Sequence, residues 1–327
     1  MLDVHRLRLL RELDRRGTLA EVARALNYSP SAISQQLSQL EAETGVRLLE
    51  RVGRGVRLTE QARILVGHAD AVLERLELAE AELAASLTEV SGTLRVASFQ
   101  TVLLTLVPAA LTRLADQHPR LRVEITQDTP EPAFAGLLAH DVDVVLGEEY
   151  PDGSGAPPGV DERDLLLDEI RLAVPPEGPL SRRTPADLVG VPWVLDPADT
   201  PPGRWARRLL RETGSEPDVR FDSPDYLLHV HLVENGHALA MLPDLLWTFR
   251  RPLVQLVPLP GRPTRRLFTG VRRGSAARPA VQAFRAALEQ AVAELVPAAD
   301  RPEGRHGDPY PDRRVRRRGA IGSAPDL

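Results

Sequence analysis

The stretch that decides the N-terminal fold spans residues 17–41 and reads GTLAEVARALNYSPSAISQQLSQLE. Thr18 and Glu21 form a capping box, in which the two side chains satisfy free amides at the start of a helix. Residues 27–30 (NYSP) have the composition of a turn, and Pro30 suits the first turn of the next helix. Apolar residues recur at helical spacing on both sides of this turn, so the stretch predicts a helix-turn-helix.

The second helix of this pair has two contrasting faces. Ile33, Leu37 and Leu40 are spaced for burial, and Gly45 follows as a helix end. The opposite face is small, uncharged and rich in hydrogen-bonding groups: Ser31, Ser34, Gln35, Ser38 and Gln39. A helix that enters the major groove needs short side chains and amides that pair with base edges. An ordinary solvated face is the alternative, but other helices of this chain fill such faces with Glu and Arg.

The segment after this helix predicts a wing. Residues 47–51 and 56–58 flank a turn at residues 52–55 (VGRG), and Arg51, Arg54 and Arg57 are placed to meet phosphates or a minor groove. A solvated turn is the alternative. Residues 1–58 contain ten arginines and seven acidic residues, whereas residues 59–90 contain two arginines and seven acidic residues. Any affinity for phosphate is therefore expected in residues 1–58.

Residues 59–90 predict one long linker helix. Apolar residues recur there at alternating steps of three and four: Ala62, Leu65, Ala69, Val72, Leu76, Ala79 and Leu83. This heptad pattern favours contact between helices of two subunits, and a dimer suits a protein that reads two DNA half-sites. Packing of the stripe on its own domain is the alternative.

Residues 91–297 alternate between strand and helix patterns. In residues 94–146 each strand is separated from the next by a helix, which predicts right-handed crossovers and a parallel sheet. The pattern divides into lobe I (about residues 91–163 and 266–297) and lobe II (about residues 164–265), joined by two crossing strands. Ligands of such sheets bind beyond the C-terminal ends of the strands, in the cleft. The tail, residues 298–327, lacks periodicity and is rich in Pro, Gly and Arg, so we expect disorder. Its arginine run at residues 313–318 is either a DNA contact or, as is more usual, a solvated segment.

Several functional classes find little support. The chain has no cysteine, and its 41 basic residues are all arginine, which excludes thiol chemistry and lysine Schiff bases. His229 and His231 suggest a metal pair only loosely, because residues two apart on a helix point in different directions. We therefore expect no metal, cofactor or catalytic residue. No apolar run is long enough to span a membrane and no signal peptide is evident, so a cytoplasmic, nucleoid-associated protein is expected.

The chain resembles the LysR-type transcriptional regulators over residues 2–296. The resemblance is carried by residues 17–26 (GTLAEVARAL), 32–37 (AISQQL), 45–51 (GVRLLER) and 56–59 (VRLT), and further by residues 92–96 (GTLRV) and 233–243 (VENGHALAMLP). Two positions depart from the family pattern. Ser29-Pro30-Ser31 stands where the family commonly has Ser-Gln-Pro, so a usual DNA contact is lost or moved, and Leu49 replaces a usual phenylalanine.

The resemblance implies an α+β multidomain chain: a winged helix-turn-helix (residues 1–58), a linker helix that forms a dimer and often a tetramer, and a two-lobed α/β effector domain similar to type 2 periplasmic binding proteins. The expected partners are a pseudo-palindromic double-stranded operator, a small-molecule effector and further copies of the chain. The expected DNA-binding residues are Thr18, Ser29, Ser31, Ser34, Gln35, Gln36, Ser38, Arg51 and Arg54.

The expected effector-binding residues follow the strand ends. Ser98, Gln100 and Thr101 occupy positions that are polar in the family, beside a helix start that favours an anion such as a carboxylate. Four residues after later strands are added on position: Thr129, Glu148, Asp196 and Ser223. Glu148 and Asp196 favour a cationic or donor-bearing group on the ligand, and the alternative is that these four are caps and turn residues.

The sequence thus predicts a sequence-specific transcription regulator whose DNA binding is modulated by an effector bound between two lobes. Effector binding is expected to close the lobes and to rotate one dimer against another. Two alternatives stay open: an architectural DNA-binding protein without ligand control, and a small-molecule-binding enzyme.

Overall fold

The computed structural model describes residues 1–295, apart from residues 54, 87–88, 152, 154, 185–187, 189 and 213–215. The tail at residues 298–327, Arg54 at the predicted wing tip and residues 87–88 of the predicted linker lie outside the described residues.

The N-terminal domain contains three helices and a hairpin: α1 (Val4–Arg16), α2 (Leu19–Leu26), α3 (Pro30–Thr44), β1 (Leu49–Val52) and β2 (Gly55–Leu58). The helix boundaries follow the local signals of the sequence. The Thr18 hydroxyl accepts from the Glu21 amide at 3.2 Å, the Ser29 hydroxyl accepts from the Ala32 amide at 3.2 Å, and Gly45 ends α3 in the left-handed conformation. The predicted helix-turn-helix is confirmed.

Glu41 fixes the wing to α3. One of its carboxylate oxygens, Oε1, accepts from the amides of Leu48 and Leu49 at 2.8 and 3.0 Å. The strands then pair antiparallel, with Leu49 opposite Leu58. The hairpin is therefore tethered to the C-terminal part of the helix that carries the small polar face.

The linker helix, α4, spans Glu60–Ala85. The predicted heptad stripe on this helix has two parts that differ in burial. Ala62 and Ala69 are fully buried in the core of their own N-terminal domain. Val72, Leu76 and Leu83 are 42%, 44% and 71% exposed. The prediction of one continuous seam is therefore wrong for its first half, because α1 covers that half within the chain, and only the second half is an open apolar stripe.

Lobe I is built on three parallel strands and three helices: β3 (Gly92–Ser98), α5 (Gln100–Gln117), β4 (Leu121–Gln127), α6 (Pro130–Leu138), β5 (Val144–Glu149) and α9 (Pro279–Leu295). β3 lies between β4 and β5 and is parallel to both. Buried apolar residues of α5 and α9 share one core with these strands.

Two long strands connect the lobes: β6 (Val160–Val174) and β11 (Thr264–Arg272). They pair antiparallel with each other, and β11 also pairs antiparallel with β5. The parallel arrangement predicted for residues 94–146 is confirmed in β3, β4 and β5. The crossing strands are antiparallel, because a chain that leaves a lobe and returns beside its own path must run in opposite directions. The predicted pair of crossing strands is present.

Lobe II contains the remaining elements: β7 (Pro192–Leu195), α7 (Pro201–Glu212), β8 (Asp218–Asp222), α8 (Tyr226–Glu234), β9 (Ala240–Pro243) and β10 (Gln255–Pro258). β9 and β10 pair antiparallel with the far end of β6, and β7 is parallel to β8. None of the helices in the described part of the chain is long and apolar enough to cross a membrane.

Candidate functional site

The small polar face of α3 is open to solvent. Ser31, Gln35 and Ser38 are exposed, and Ser34 is half-buried. The Ser31 hydroxyl lies 3.0 Å from that of Ser29, whose oxygen also caps the helix. Within the described residues, the side chains of Ser34, Gln35 and Ser38 make no hydrogen bond, so their donors and acceptors are available to a ligand.

Other predicted DNA-binding residues already have partners. The Gln36 carboxamide oxygen accepts from Arg6 Nε at 3.0 Å, and the exposed Thr18 hydroxyl caps α2. On the wing, Arg51 is exposed, whereas Arg57 pairs across the strands with Glu50 at 3.1 Å. The amide N–H groups of Gln36 therefore stay available to DNA, whereas its oxygen is occupied. The whole guanidinium of Arg51 is available.

A fully buried guanidinium, Arg265 on β11, lies where the lobes meet. Its Nε and Nη2 donate to one Asp168 oxygen at 3.1 and 2.9 Å, and its Nη1 donates to Glu148 at 2.6 Å. Nη2 also donates to the Thr101 hydroxyl at 2.8 Å. We did not predict Arg265 or Asp168, because the Arg265 partners are 97 to 164 residues away along the chain and form no local motif.

The Arg265 cluster decides which predicted effector residues face open space. Thr101 is completely buried against Arg265, and Ser98 is 1% exposed, with its hydroxyl 3.5 Å from the Phe99 carbonyl oxygen. Glu148 reaches a cavity while one of its oxygens binds Arg265. Thr129 precedes α6 and makes no side-chain capping bond.

Two polar bridges join the lobes across the cleft. Gln100 of α5 donates to the Asp225 carboxylate at 2.7 Å and accepts from the Tyr226 amide at 2.8 Å. Arg204 of α7 pairs with Glu131 of α6 at 3.0 Å, and both side chains are more than half exposed. Because the exposed pair contributes little energy, the cleft can open on that side at small cost.

A cavity of about 740 Å³ lies between α6 and α7. Its lining combines aromatic and proline rings with a few charged groups: Phe134, Trp205, Phe268, Pro157, Pro201, Glu148, Glu149, Arg204 and Arg208. The volume is in the range of small-molecule sites, and the mostly apolar lining is typical of them.

Asp196 follows β7 at the base of lobe II and is 8% exposed. Burial, reinforced by the nearby Glu148, raises the pKa of Asp196 to about 8. Arg207 donates to the Asp196 backbone oxygen at 2.5 Å, and a Cβ on Gly203 would lie 2.5 Å from that oxygen. The backbone is thus held in place, while no side chain of the described residues binds the carboxyl group.

The C-terminal end of α6 contacts the DNA-binding domain. Arg16 of α1 donates to the Ala139 carbonyl at 3.1 Å and to the Asp141 carboxylate at 2.9 Å, and Arg15 donates to the Leu138 carbonyl. A second cavity, of about 660 Å³, lies between Arg15, Arg16 and the opposite face of α6. α6 therefore has space on two sides and polar contacts at its end.

A second ionic contact joins α4 to lobe I. Glu77 lies 2.8 Å from Arg272 and 3.0 Å from His140. Bonds from these two groups outweigh the effect of burial and lower the pKa of Glu77 to about 2. Burial lowers the pKa of His140, so its ring is neutral at pH 7. Arg272 also donates to the Leu137 carbonyl at 2.8 Å, which links α4 to α6.

Two family models match most of the chain. The family model described as "Bacterial regulatory helix-turn-helix protein, lysR family" matches residues 4–63, and "LysR substrate binding domain" matches residues 88–293. No curated protein sequence matches the chain.

Solved structures match nearly end to end. A full-length OxyR variant from Pseudomonas aeruginosa is 18% identical with a TM-score of 0.64, and the match covers 90% of this chain and 95% of that one. An OxyR mutant from Corynebacterium glutamicum is 21% identical with a TM-score of 0.53, covering 90% and 94%. CbnR, described as a LysR family transcriptional regulator, is 24% identical with a TM-score of 0.50, covering 88% and 99%. These likenesses confirm the predicted architecture of a helix-turn-helix domain followed by an effector domain.

Proposed function

The chain belongs to the LysR family of DNA-binding transcription regulators, which are not enzymes, and we propose that its α3 face reads the operator while the cavity between α6 and α7 receives the effector. One observation carries this proposal: α6 lines the 740 Å³ cavity from Pro130 to Leu138, and the C-terminal end of the same helix contacts α1. A single nine-residue helix therefore connects the ligand site to the DNA-binding domain.

On DNA, we propose that Gln35 pairs with a base edge, with Ser31, Ser34 and Ser38 around it. These residues have short or amide side chains and lie on the exposed face of α3. Arg51 on the wing and the free amide of Gln36 contact phosphates, while Thr18 and Ser29 act through the helix starts that they cap. Arg54 completes the predicted wing contact and lies outside the described residues.

In the effector domain, Glu148 and Asp196 supply polar groups to the ligand. Gln100 holds the lobes together through Asp225 and Tyr226. Thr129 precedes α6, and the Ser223 hydroxyl accepts from the Asp225 amide at 3.1 Å. Ser98 and Thr101 act indirectly, by supporting β3 and Arg265. This assignment moves the ligand from the predicted start of α5 toward α6 and α7.

The second half of the linker helix supports self-association. Val72, Leu76 and Leu83 form an exposed apolar stripe at heptad spacing on α4. We propose that two copies pair through this stripe, that dimers join further into tetramers, and that the assembly binds a pseudo-palindromic operator in the nucleoid of the cytoplasm.

The DNA contacts are tested by selecting an operator from random DNA and measuring affinity by fluorescence anisotropy. Gln35→Ala is expected to relax base preference, at about 1–3 kcal/mol at one position. Arg51→Ala is expected to weaken binding to all sequences alike and to lower the salt dependence by about one phosphate contact. Equal effects of both variants on every sequence contradict these roles.

The α6 connection is tested by Asp141→Arg, which places a like charge beside Arg16. With an effector found by thermal-shift screening, we expect the ligand-induced change in operator affinity to shrink, from a typical ~5- to 150-fold toward none. Ligand binding itself should persist. Asp116→Arg, on the exposed side of α5, is the matched control. If no small molecule changes the footprint of the protein on its operator, the result supports the alternative of an architectural DNA-binding protein without ligand control.

A further inference from the structure

A small cavity of about 10 Å³ lies in lobe II and shares two of its walls, Tyr150 and Trp205, with the 740 Å³ cavity. Its polar lining includes Asp196, Tyr226 and His229. The Tyr150 and Tyr226 hydroxyls are 3.0 Å apart. A cavity of this volume holds one group about the size of a water molecule.

His229 contributes a buried acceptor without a partner. Its Nε2 lies 2.7 Å from the Ser223 carbonyl oxygen, which only accepts hydrogen bonds, so Nε2 carries the ring proton. Burial lowers the pKa of His229, which keeps the ring neutral. Nδ1 is then an acceptor, and it has no hydrogen-bond partner in the described residues.

The carboxyl groups around this site outnumber the cations that bind their oxygens. Asp168 and Glu148 share the single guanidinium of Arg265, and Asp196 adds a third carboxyl group without an ion-pair partner in the described chain. A buried carboxylate is costly unless it is paired with a cation and hydrogen-bonded. The occupant that fits this site is therefore small, positively charged and rich in donors.

We propose that the effector is a primary amine whose ammonium group occupies the small cavity and donates to Asp196, to His229 Nδ1 and to a tyrosine oxygen. An ammonium has three donors and no acceptor, and it is close to water in size. The rest of the ligand lies in the 740 Å³ cavity, against Phe134 and Trp205. This inference rests on the proposed effector cleft and names the chemical class of its ligand.

Binding of this kind is coupled to a proton. The pKa of Asp196 is about 8, so at pH 7 the empty protein holds a proton there that an arriving ammonium displaces. Affinity should therefore rise as the pH increases from 7 to above 8, until the amine itself loses its proton near pH ~10. The affinity of a neutral or anionic ligand should not rise with pH in this way, because such a ligand is not attracted to the ionised carboxylate.

The test is isothermal titration calorimetry of the full chain with phenethylamine and butylamine, beside phenethyl alcohol and trimethylphenethylammonium. We expect both primary amines to bind, and the alcohol and the bulky trimethylated head to bind at least tenfold more weakly. Asp196→Asn should weaken the amines by about tenfold or more, the loss expected for a charge-assisted hydrogen bond, and should remove the pH dependence. Asp199→Asn, an exposed carboxyl three residues away, is the matched control.

Three results overturn the inference: no saturable binding of either amine, equal binding of phenethyl alcohol, or unchanged amine affinity in Asp196→Asn. Operator binding is measured on the same samples by anisotropy. If the operator is bound and an amine-free metabolite changes that binding, the amine inference is wrong while the proposed function stands. If no operator is selected at all, the proposed function itself is wrong.

Discussion

Replacing Asp196 by asparagine should stabilise lobe II at alkaline pH. The folded protein raises the pKa of this carboxyl group from 3.8 to about 8, a shift of about four units. At about 1.36 kcal/mol per unit, the buried carboxylate costs at most about 6 kcal/mol once it is ionised in both states. The slight solvent access of the side chain reduces this cost, and we expect about 2–4 kcal/mol.

The direction with pH follows from proton binding. Between pH 3.8 and about 8 the unfolded chain has released the Asp196 proton and the folded chain retains it. The free energy of unfolding therefore falls as pH rises through this window and is constant, with respect to this group, above it. The asparagine side chain does not titrate, so the advantage of Asp196→Asn should be small near pH ~4 and should reach its full value above pH ~8.

Tryptophan fluorescence provides a local assay for this prediction. All three tryptophans, Trp193, Trp205 and Trp247, lie in lobe II. Urea unfolding followed by their emission at several pH values gives the stability of that lobe. Asp199→Asn serves as the exposed control. A stability difference between Asp196→Asn and the parent chain that is constant across pH refutes the reasoning, because it means that the carboxyl titrates alike in both states.

Three further predictions concern the linker helix. Leu76→Glu should dissociate the dimer in sedimentation, since a charge enters the open apolar stripe, whereas Ile64→Glu, exposed but off the heptad positions, should not. Gly274→Ala should weaken the packing of α4 on lobe I by about 1–3 kcal/mol, because the added Cβ would lie 2.5 Å from the Glu74 carbonyl oxygen. Faster hydrogen exchange in α4 would report this change. The pKa of Glu77 is lowered to about 2, so this carboxylate contributes stability that is complete above pH 4.5 and is lost as pH falls toward 2. In Glu77→Gln the free energy of unfolding should therefore depend less on pH over that range.

The features that the sequence predicted well are those encoded by neighbouring residues. The capping oxygen of Thr18, Pro30 in the first turn of α3 and Gly45 at its end act within one turn of chain, and the structure uses each of them as expected. The boundaries of these helices therefore follow from local hydrogen bonding alone. The small polar face of α3 followed from helical spacing in the same way.

Longer elements were predicted less completely. β6 spans 15 residues, a length that the strand pattern of the sequence does not predict. Its first half carries acidic and basic side chains on an exposed face, so that half shows no continuous apolar pattern. The linker stripe was predicted as uniform, because a heptad pattern does not specify which partner covers each half.

The ionic centre at the cleft could not be predicted from spacing. Arg265 draws its partners from β5, β6 and α5, and only the folded chain brings these elements together. Of the predicted effector residues, Thr101 and Glu148 both contact this guanidinium. Both residues were predicted from their polar side chains and their positions after strands. No local pattern indicates that Arg265 already uses part of their hydrogen-bonding capacity.

The position of this centre links ligand charge to lobe geometry. Arg265 lies on one crossing strand and Asp168 on the other, while Glu148 ends a strand of lobe I and faces the cavity. Glu148 also raises the pKa of Asp196 in lobe II. An ammonium that displaces the Asp196 proton brings a positive charge near Glu148, and this attraction favours a closer approach of the lobes when the ligand is present. α6 contributes to the same cavity and contacts Arg16, and this contact gives the change in lobe spacing a direct path to the DNA-binding domain.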